Sequence, residues 1–374
     1  MFKNLMGRAA RGRRAATVTL GLCACLSLLP VSPAAAQPQG AVRGELKVGF
    51  VFVSPVGEAG WTYQHNQGRL ELEKNLAGKV RTSHVENVAE GAESERVIRD
   101  LAREGHQLIF TTSFGYMDPT LRVAKEFPNV AFEHMGGYKS APNMATYNAR
   151  FYEGRYLAGL VAGKMSKTGV VGYVAGFPLP EVVQGINAFA IGVREVNPKA
   201  QVKVVWLNAW FDPSRERDAA LTLIHQGADV ITHHSASSAA VQAAEERGAM
   251  SIPYHSDMRR FAPKGQLTAV THHWGQFYTS VAQAVLEGRW RAQPSWGGVA
   301  DGTVRLAALH ESVPKETVEV VRQRQQAIAA GRFHPFSGRI VDNEGRVRLA
   351  QGTLGEKEIA EMNYLVEGVV GQVR

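Results

Sequence analysis

The residues best suited to chemistry in this sequence are aromatic rings gathered into four short segments. Residues 57–66 (GEAGWTYQHN) carry Trp61 and Tyr63, residues 113–116 (SFGY) carry Phe114, residues 174–178 (VAGFP) carry Phe177, and residues 206–212 (WLNAWFD) carry Trp210. Flat ligands bind well between such faces, because ring stacking adds about 0.5–1.5 kcal/mol beyond the area buried. A single aromatic beside a strand more often belongs to a core; repetition in four comparable places argues for a pocket. Polar side chains at neighbouring strand ends could read the edge of a heterocycle: Glu58, Asn66, Asn148, Glu153, Asn208 and Asp257. Some have a plainer reading. Asp212 before Pro213 and Ser214 has the form of a helix N-cap, Asn66 could cap its own helix, and Glu153 could face solvent.

Other chemistries find little support. The adjacent pairs His233-His234 and His272-His273 are poor chelators, because neighbouring residues on a strand point to opposite faces. No HExxH motif, nucleophile elbow, P-loop or dinucleotide-binding glycine pattern is present. Gly57-Glu58-Ala59-Gly60 lacks the spacing of the last, and Ser113-Phe114-Gly115 lacks the flanking glycine of an elbow. Both cysteines, Cys23 and Cys25, fall near the N-terminus. The expectation is therefore a protein without catalytic residues, metal or cofactor.

The elements that must position the aromatics follow a β-then-α rhythm. Residues 47–53 (KVGFVFV) read as a buried strand and 66–76 as a helix. Strands at 80–85, 108–112 and 130–134 alternate with helices at 94–104 and 119–127. The second half repeats the pattern, with strands at 170–174, 202–207, 230–232 and 251–254 and helices at 182–196, 213–226 and 236–247. Strands joined by helices of this length need crossovers, so the fold class is α/β with parallel, doubly wound sheets. Two such halves predict two lobes and a cleft, with the loops at the carboxyl ends of the strands lining it. We expect one lobe over 37–165, completed by part of 268–374, a second over 166–267, and crossing strands from 268 onward. The helix around 152–165 should end the first lobe or begin the crossing.

Lys3, Arg8, Arg11, Arg13 and Arg14 precede an apolar run over 15–29 and the small residues Ala34-Ala35-Ala36, the pattern of a secretory signal peptide cleaved after Ala36. The run has roughly 15 apolar residues against the ~20 that span a bilayer. Arg13-Arg14 raises a twin-arginine route, though the surrounding residues fit it poorly, and the apolar stretch past Cys25 argues against lipid attachment there. Residues 37–374 hold 37 of the 42 basic and all 34 acidic residues, so the net charge of +8 falls to +3. That balance gives no reason to invoke nucleic acid.

Residues 145–159 (ATYNARFYEGRYLAG), 169–176 (GVVGYVAG), Phe211-Asp212-Pro213 leading to 227–231 (GADVI), 335–338 (PFSG) and 362–369 (MNYLVEGV) together resemble the basic membrane protein (Bmp) family of ABC-transporter substrate-binding proteins. The resemblance spans nearly all of 37–374. It implies a type I periplasmic-binding fold, a periplasmic location, a monomer, a purine ligand held between two aromatics, and an inner-membrane ABC permease as partner. It places Trp61 where the family has a Phe, Trp210 at the second aromatic, Glu153 at an acidic position and Asp257 in a region that meets ribose. Two features depart from the family pattern. Residues 58–62 (EAGWT) lack the Asp and Asn of the first motif, and a lysine is replaced near His272-His273-Trp274. Loss of sugar-contacting groups beside two larger rings points to a nucleobase such as adenine; a nucleoside, a sugar or amide ligand, a periplasmic sensor and a hydrolase remain alternatives.

Overall fold

The computed structural model describes residue 42 and residues 44–373; the signal peptide expected over 1–36 and both cysteines lie outside the described residues. The chain runs β1 (Leu46–Val51), α1 (Trp61–Asn75), β2 (Val80–Val85), α2 (Ala92–Arg103), β3 (Leu108–Thr111), a 3-10 turn (Phe114–Tyr116), α3 (Met117–Glu126), β4 (Ala131–Met135), β5 (Met144–Ala149) and α4 (Phe151–Met165). It continues through β6 (Val170–Ala175), α5 (Pro180–Val196), β7 (Gln201–Trp206), α6 (Pro213–His225), β8 (Val230–His234), α7 (Ala239–Glu246), β9 (Met250–Ile252), β10 (Tyr254–His255), β11 (Val270–His272) and α8 (Gly275–Leu286). The remaining elements are β12 (Ser295–Gly297), β13 (Val304–Leu306), α9 (Lys315–Ala329), β14 (Ile340–Val341), β15 (Val347–Leu349), α10 (Glu356–Ala360) and β16 (Val369–Val370).

Two parallel sheets organise these elements. The first has the order β12-β5-β4-β3-β1-β2 and the second β16-β7-β6-β8-β9. β3 and β4 are buried along their whole length, as parallel strands covered on both faces must be. In each sheet the strand order reverses direction beside the first strand laid down, between β1 and β3 and between β6 and β8. Ligands of open α/β sheets settle outside the strand ends at such reversals.

The chain passes between the sheets three times: from β5 to β6, from β9 through β10 and β11 to β12, and from β12 through β13 to β16. β10, β11 and β13 form a small third sheet. The helix expected to close the first lobe or begin the crossing, α4, is buried on every side from Phe151 to Gly163 and packs along α5. Glycines permit the contact: a Cβ on Gly159 would stand 2.2 Å from the Phe189 carbonyl oxygen, and one on Gly192 the same distance from that of Tyr156.

Two local readings shift. α1 begins five residues earlier than the 66–76 expectation, so Trp61 and Tyr63 are helical. β4 does not end the first sheet; β5 and the three-residue β12 extend it. The sequences MATYNA and SWG of these two strands lack the β-branched runs that mark a strand by composition. Among the described residues no helix is long and apolar enough to cross a membrane.

Candidate ligand-binding cleft

A cleft of about 520 Å³ opens at the carboxyl ends of both sheets. The first sheet contributes Val53 after β1, Thr112, Ser113 and Phe114 after β3, Gly136, Gly137 and Tyr138 after β4, Asn148 near the end of β5, and Trp296 from β12. The second contributes Leu179 to Val182 after β6, Trp210 after β7, and His234, Ser235 and Ala236 at the end of β8. His255 from β10 adds to the wall.

Trp61 opens α1, and its ring is fixed from several sides. The indole Nε1–H donates to the Thr112 carbonyl oxygen (2.7 Å), and the ring meets His65, His255 and Phe151 edge-to-face at 4.4, 5.1 and 6.2 Å. The preceding Gly60 has φ +94, and a Cβ there would lie 2.0 Å from the Ala236 carbonyl oxygen. Only glycine can take that conformation and that approach together. Its N–H donates to Ser256 Oγ (2.7 Å), so the start of α1 touches loops that follow β8 and β10. Glu58 and Arg260 pair over the same span.

Trp210 is held differently. Its ring lies edge-to-face with Phe177 (4.9 Å) and against Gly176, where a Cβ would come within 2.9 Å of the indole. Its carbonyl oxygen accepts the Ala236 N–H (2.8 Å). The loop after β8 is ordered by Glu216, a buried carboxylate on α6 that accepts from Ser235 Oγ, Ser237 Oγ and the Ser237 N–H. Asp212 caps α6 by accepting the Arg215 N–H (3.0 Å).

A partly buried carboxyl group sits between the two lobes. Glu181, in the first turn of α5, receives a hydrogen bond from the Asn148 side chain, and burial pushes its carboxyl up to about 7. His234 Nε2 is 3.9 Å from it. His234 and His255 are held neutral, chiefly by burial, and further by the nearby Arg155 guanidinium for His234 and by the neighbouring His272 for His255. Arg155 is fully buried, with Nη1 donating to Thr232, Nη2 to the His233 carbonyl oxygen, and the face of Tyr254 3.3 Å away. His255 adopts φ +75, a left-handed conformation that is costly for a bulky residue and recurs at ligand sites. No group of His, Asp, Glu or Cys among the described residues is placed to hold a metal ion.

Of the residues singled out from sequence, Trp61, Trp210, Phe114 and Asn148 line this cleft. Six others stand elsewhere. Phe177 backs the Trp210 ring and does not line the cleft. Tyr63 lies two residues past Trp61 on α1, a spacing that turns it to another side of the helix. Asn208 is exposed with φ +52, a turn conformation that Asn tolerates. Glu153 accepts the Val299 N–H (2.7 Å), and Asp257 accepts from the Arg259 N–H and Gln266 Nε2. Asn66 accepts from Arg69 Nε (2.8 Å).

The profile of the Bmp family, described as PnrA-like ABC-transporter substrate-binding proteins, matches residues 45–333. The chain belongs to this family. A purine-binding protein of Brucella abortus is 50% identical over 333 residues, covering 88% of this chain and 95% of its own. A Haloferax volcanii ABC-transporter protein, named as a candidate glucose-binding protein, is 37% identical over 89% of this chain and 83% of its own. Among solved structures, a solute-binding protein of Aeropyrum pernix superposes with a TM-score of 0.68 at 19% identity, covering 76% of this chain and 92% of its own. One from Conexibacter woesei gives 0.63 at 21%, covering 77% and 98%. These neighbours identify the two-lobed type I periplasmic-binding fold. The family is one of substrate-binding proteins and not of enzymes.

Proposed function

We propose that the cleft binds a purine nucleobase, adenine or a close analogue, between the Trp61 and Trp210 rings and delivers it to an inner-membrane ABC permease from the periplasm. The observation that carries this reading is that both lobes contribute indoles to a single cleft, Trp61 from the first and Trp210 from the second. The identity to a protein named for purine binding agrees with it. Glu181 and Asn148 supply acceptors and donors from opposite lobes, suited to the polar edge of a base. The preference for a base over a nucleoside is supported by Asp257, which the family resemblance puts in a region that meets ribose, and by the acidic-position Glu153. Glu153 and Asp257 are engaged with the protein's own amides outside the cleft.

In this reading the ligand settles on one lobe and the other closes over it. The test combines mass spectrometry of solute released from freshly purified, denatured protein with calorimetric titration of residues 37–374. Adenine, guanine, hypoxanthine, adenosine and glucose are the ligands. A purine base bound most tightly is the expected result; tighter adenosine or glucose binding would refute the assignment.

A further inference from the structure

The floor and the rim of the cleft differ in chemistry. Thr112, Ser113, His234 and Ser235 at the floor are almost fully buried. At the rim, Tyr138 is 75% and Trp296 46% exposed, although both line the cleft. Tyr138 stands in the loop after β4, with its ring 6.5 Å from that of Phe114. Trp296 is on the edge strand β12, in register with Asn148. Leu179, Pro180 and Ala360 add apolar surface, and Glu361 is the one exposed carboxylate lining the cleft among the described residues.

Large aromatics left in water at the mouth of a ligand cleft are unfavourable unless something covers them, and contiguous exposed apolar surface marks binding sites. A ribose would suit this wall less well, because most of its hydroxyls would lose water against rings and aliphatic groups, with Glu361 and the Tyr138 hydroxyl as the polar partners at the rim. The size points the same way. About 520 Å³ lies within the range of roughly 300–1,000 Å³ that buries drug-sized ligands, and a bare purine is smaller than those.

We propose that the ligand this protein is built for is a purine base carrying an apolar substituent, with the base between the inner indoles and the substituent on Tyr138 and Trp296. This deepens the nucleobase reading and rests on it.

The experiment is calorimetric titration of residues 37–374 with adenine and with adenine benzylated on its exocyclic amine or on an imidazole nitrogen, which samples both edges of the base. One benzylated form should bind the wild type about tenfold or more tighter than adenine, the gain of one buried ring. In the Tyr138→Ala/Trp296→Ala variant that ratio should fall to within about threefold; thermal unfolding checks that both proteins are folded. Adenine binding as tightly as both derivatives, or a ratio unchanged in the variant, overturns the substituent while leaving the base reading intact. No binding of any of the three overturns the nucleobase reading itself.

Discussion

Replacing Trp210 by Ala removes the ring that the second lobe brings to the cleft while sparing the backbone that holds its loop. The Ala236 N–H bonds to the Trp210 carbonyl oxygen, and alanine keeps that acceptor. Phe177 and Gly176, the ring's own supports, remain in place. The loss then has two parts: stacking, about 0.5–1.5 kcal/mol, and burial of one indole face. About 60 Å² of covered face at 25 cal/mol/Å² gives roughly 1.5 kcal/mol. With the ring partly open to solvent before binding, the total is about 1–3 kcal/mol, or roughly 5- to 150-fold in Kd for adenine. Calorimetry well below the melting temperature measures it. Trp206→Ala is the control: this Trp ends β7 in the same lobe, donates through Nε1 to the Gln372 carbonyl oxygen, and does not line the cleft. Trp210→Ala within threefold of wild type, or an equal loss in both variants, would refute the reasoning.

Three further outcomes follow from the geometry. Gly60→Ala places a methyl where the Ala236 carbonyl oxygen stands, 2.0 Å away, so the lobes should remain apart; small-angle scattering at saturating ligand should show a larger radius of gyration than wild type, with affinity about tenfold weaker or worse. Glu181 titrates near 7 in the folded protein against an ordinary 4.5, so between these values the unfolded chain binds fewer protons. Its contribution is complete below pH 4.5 and is lost as pH rises through 7. Glu181→Gln should remove this slope and become more stable relative to wild type by about 3–4 °C in melting temperature from pH 5 to pH 8, the effect of about 2–3 kcal/mol. The buried histidines act in the opposite sense. His65, His134 and His233 are pushed down to about 3 by burial, so the unfolded chain binds more protons below pH 6.5, and the melting temperature should fall steadily as pH drops from 6.5 toward 4. A melting temperature flat over that interval would show that these rings are not held neutral.

The strand-end loops were readable because parallel strands buried on both faces leave short apolar runs, and the residues after them have few places to go. The cleft-lining Trp61, Phe114, Asn148 and Trp210 are legible that way. Glu153 and Asp257 stand outside the cleft, which is not legible in the sequence, because a carboxylate beside a glycine or an exposed loop looks the same whether it meets a ligand or a nearby N–H. Glu181 was missed for a related reason: an acid just after Pro180 in a helix's first turn reads as a partner for the helix dipole. The neutral state of His234 and His255 is not legible in the sequence, since it depends on burial and on neighbours such as Arg155, which comes from a helix far away in the chain. The early start of α1 was hidden by Gly60, whose φ is fixed by a contact with Ala236 in the other lobe.

A crystal structure of residues 37–374 with adenine at saturating concentration tests the central claim most directly. The account predicts the base stacked on both Trp61 and Trp210, its polar edge within hydrogen-bonding distance of Glu181 and Asn148. A base touching neither indole, or seated outside the cleft between the two sheets, would contradict it.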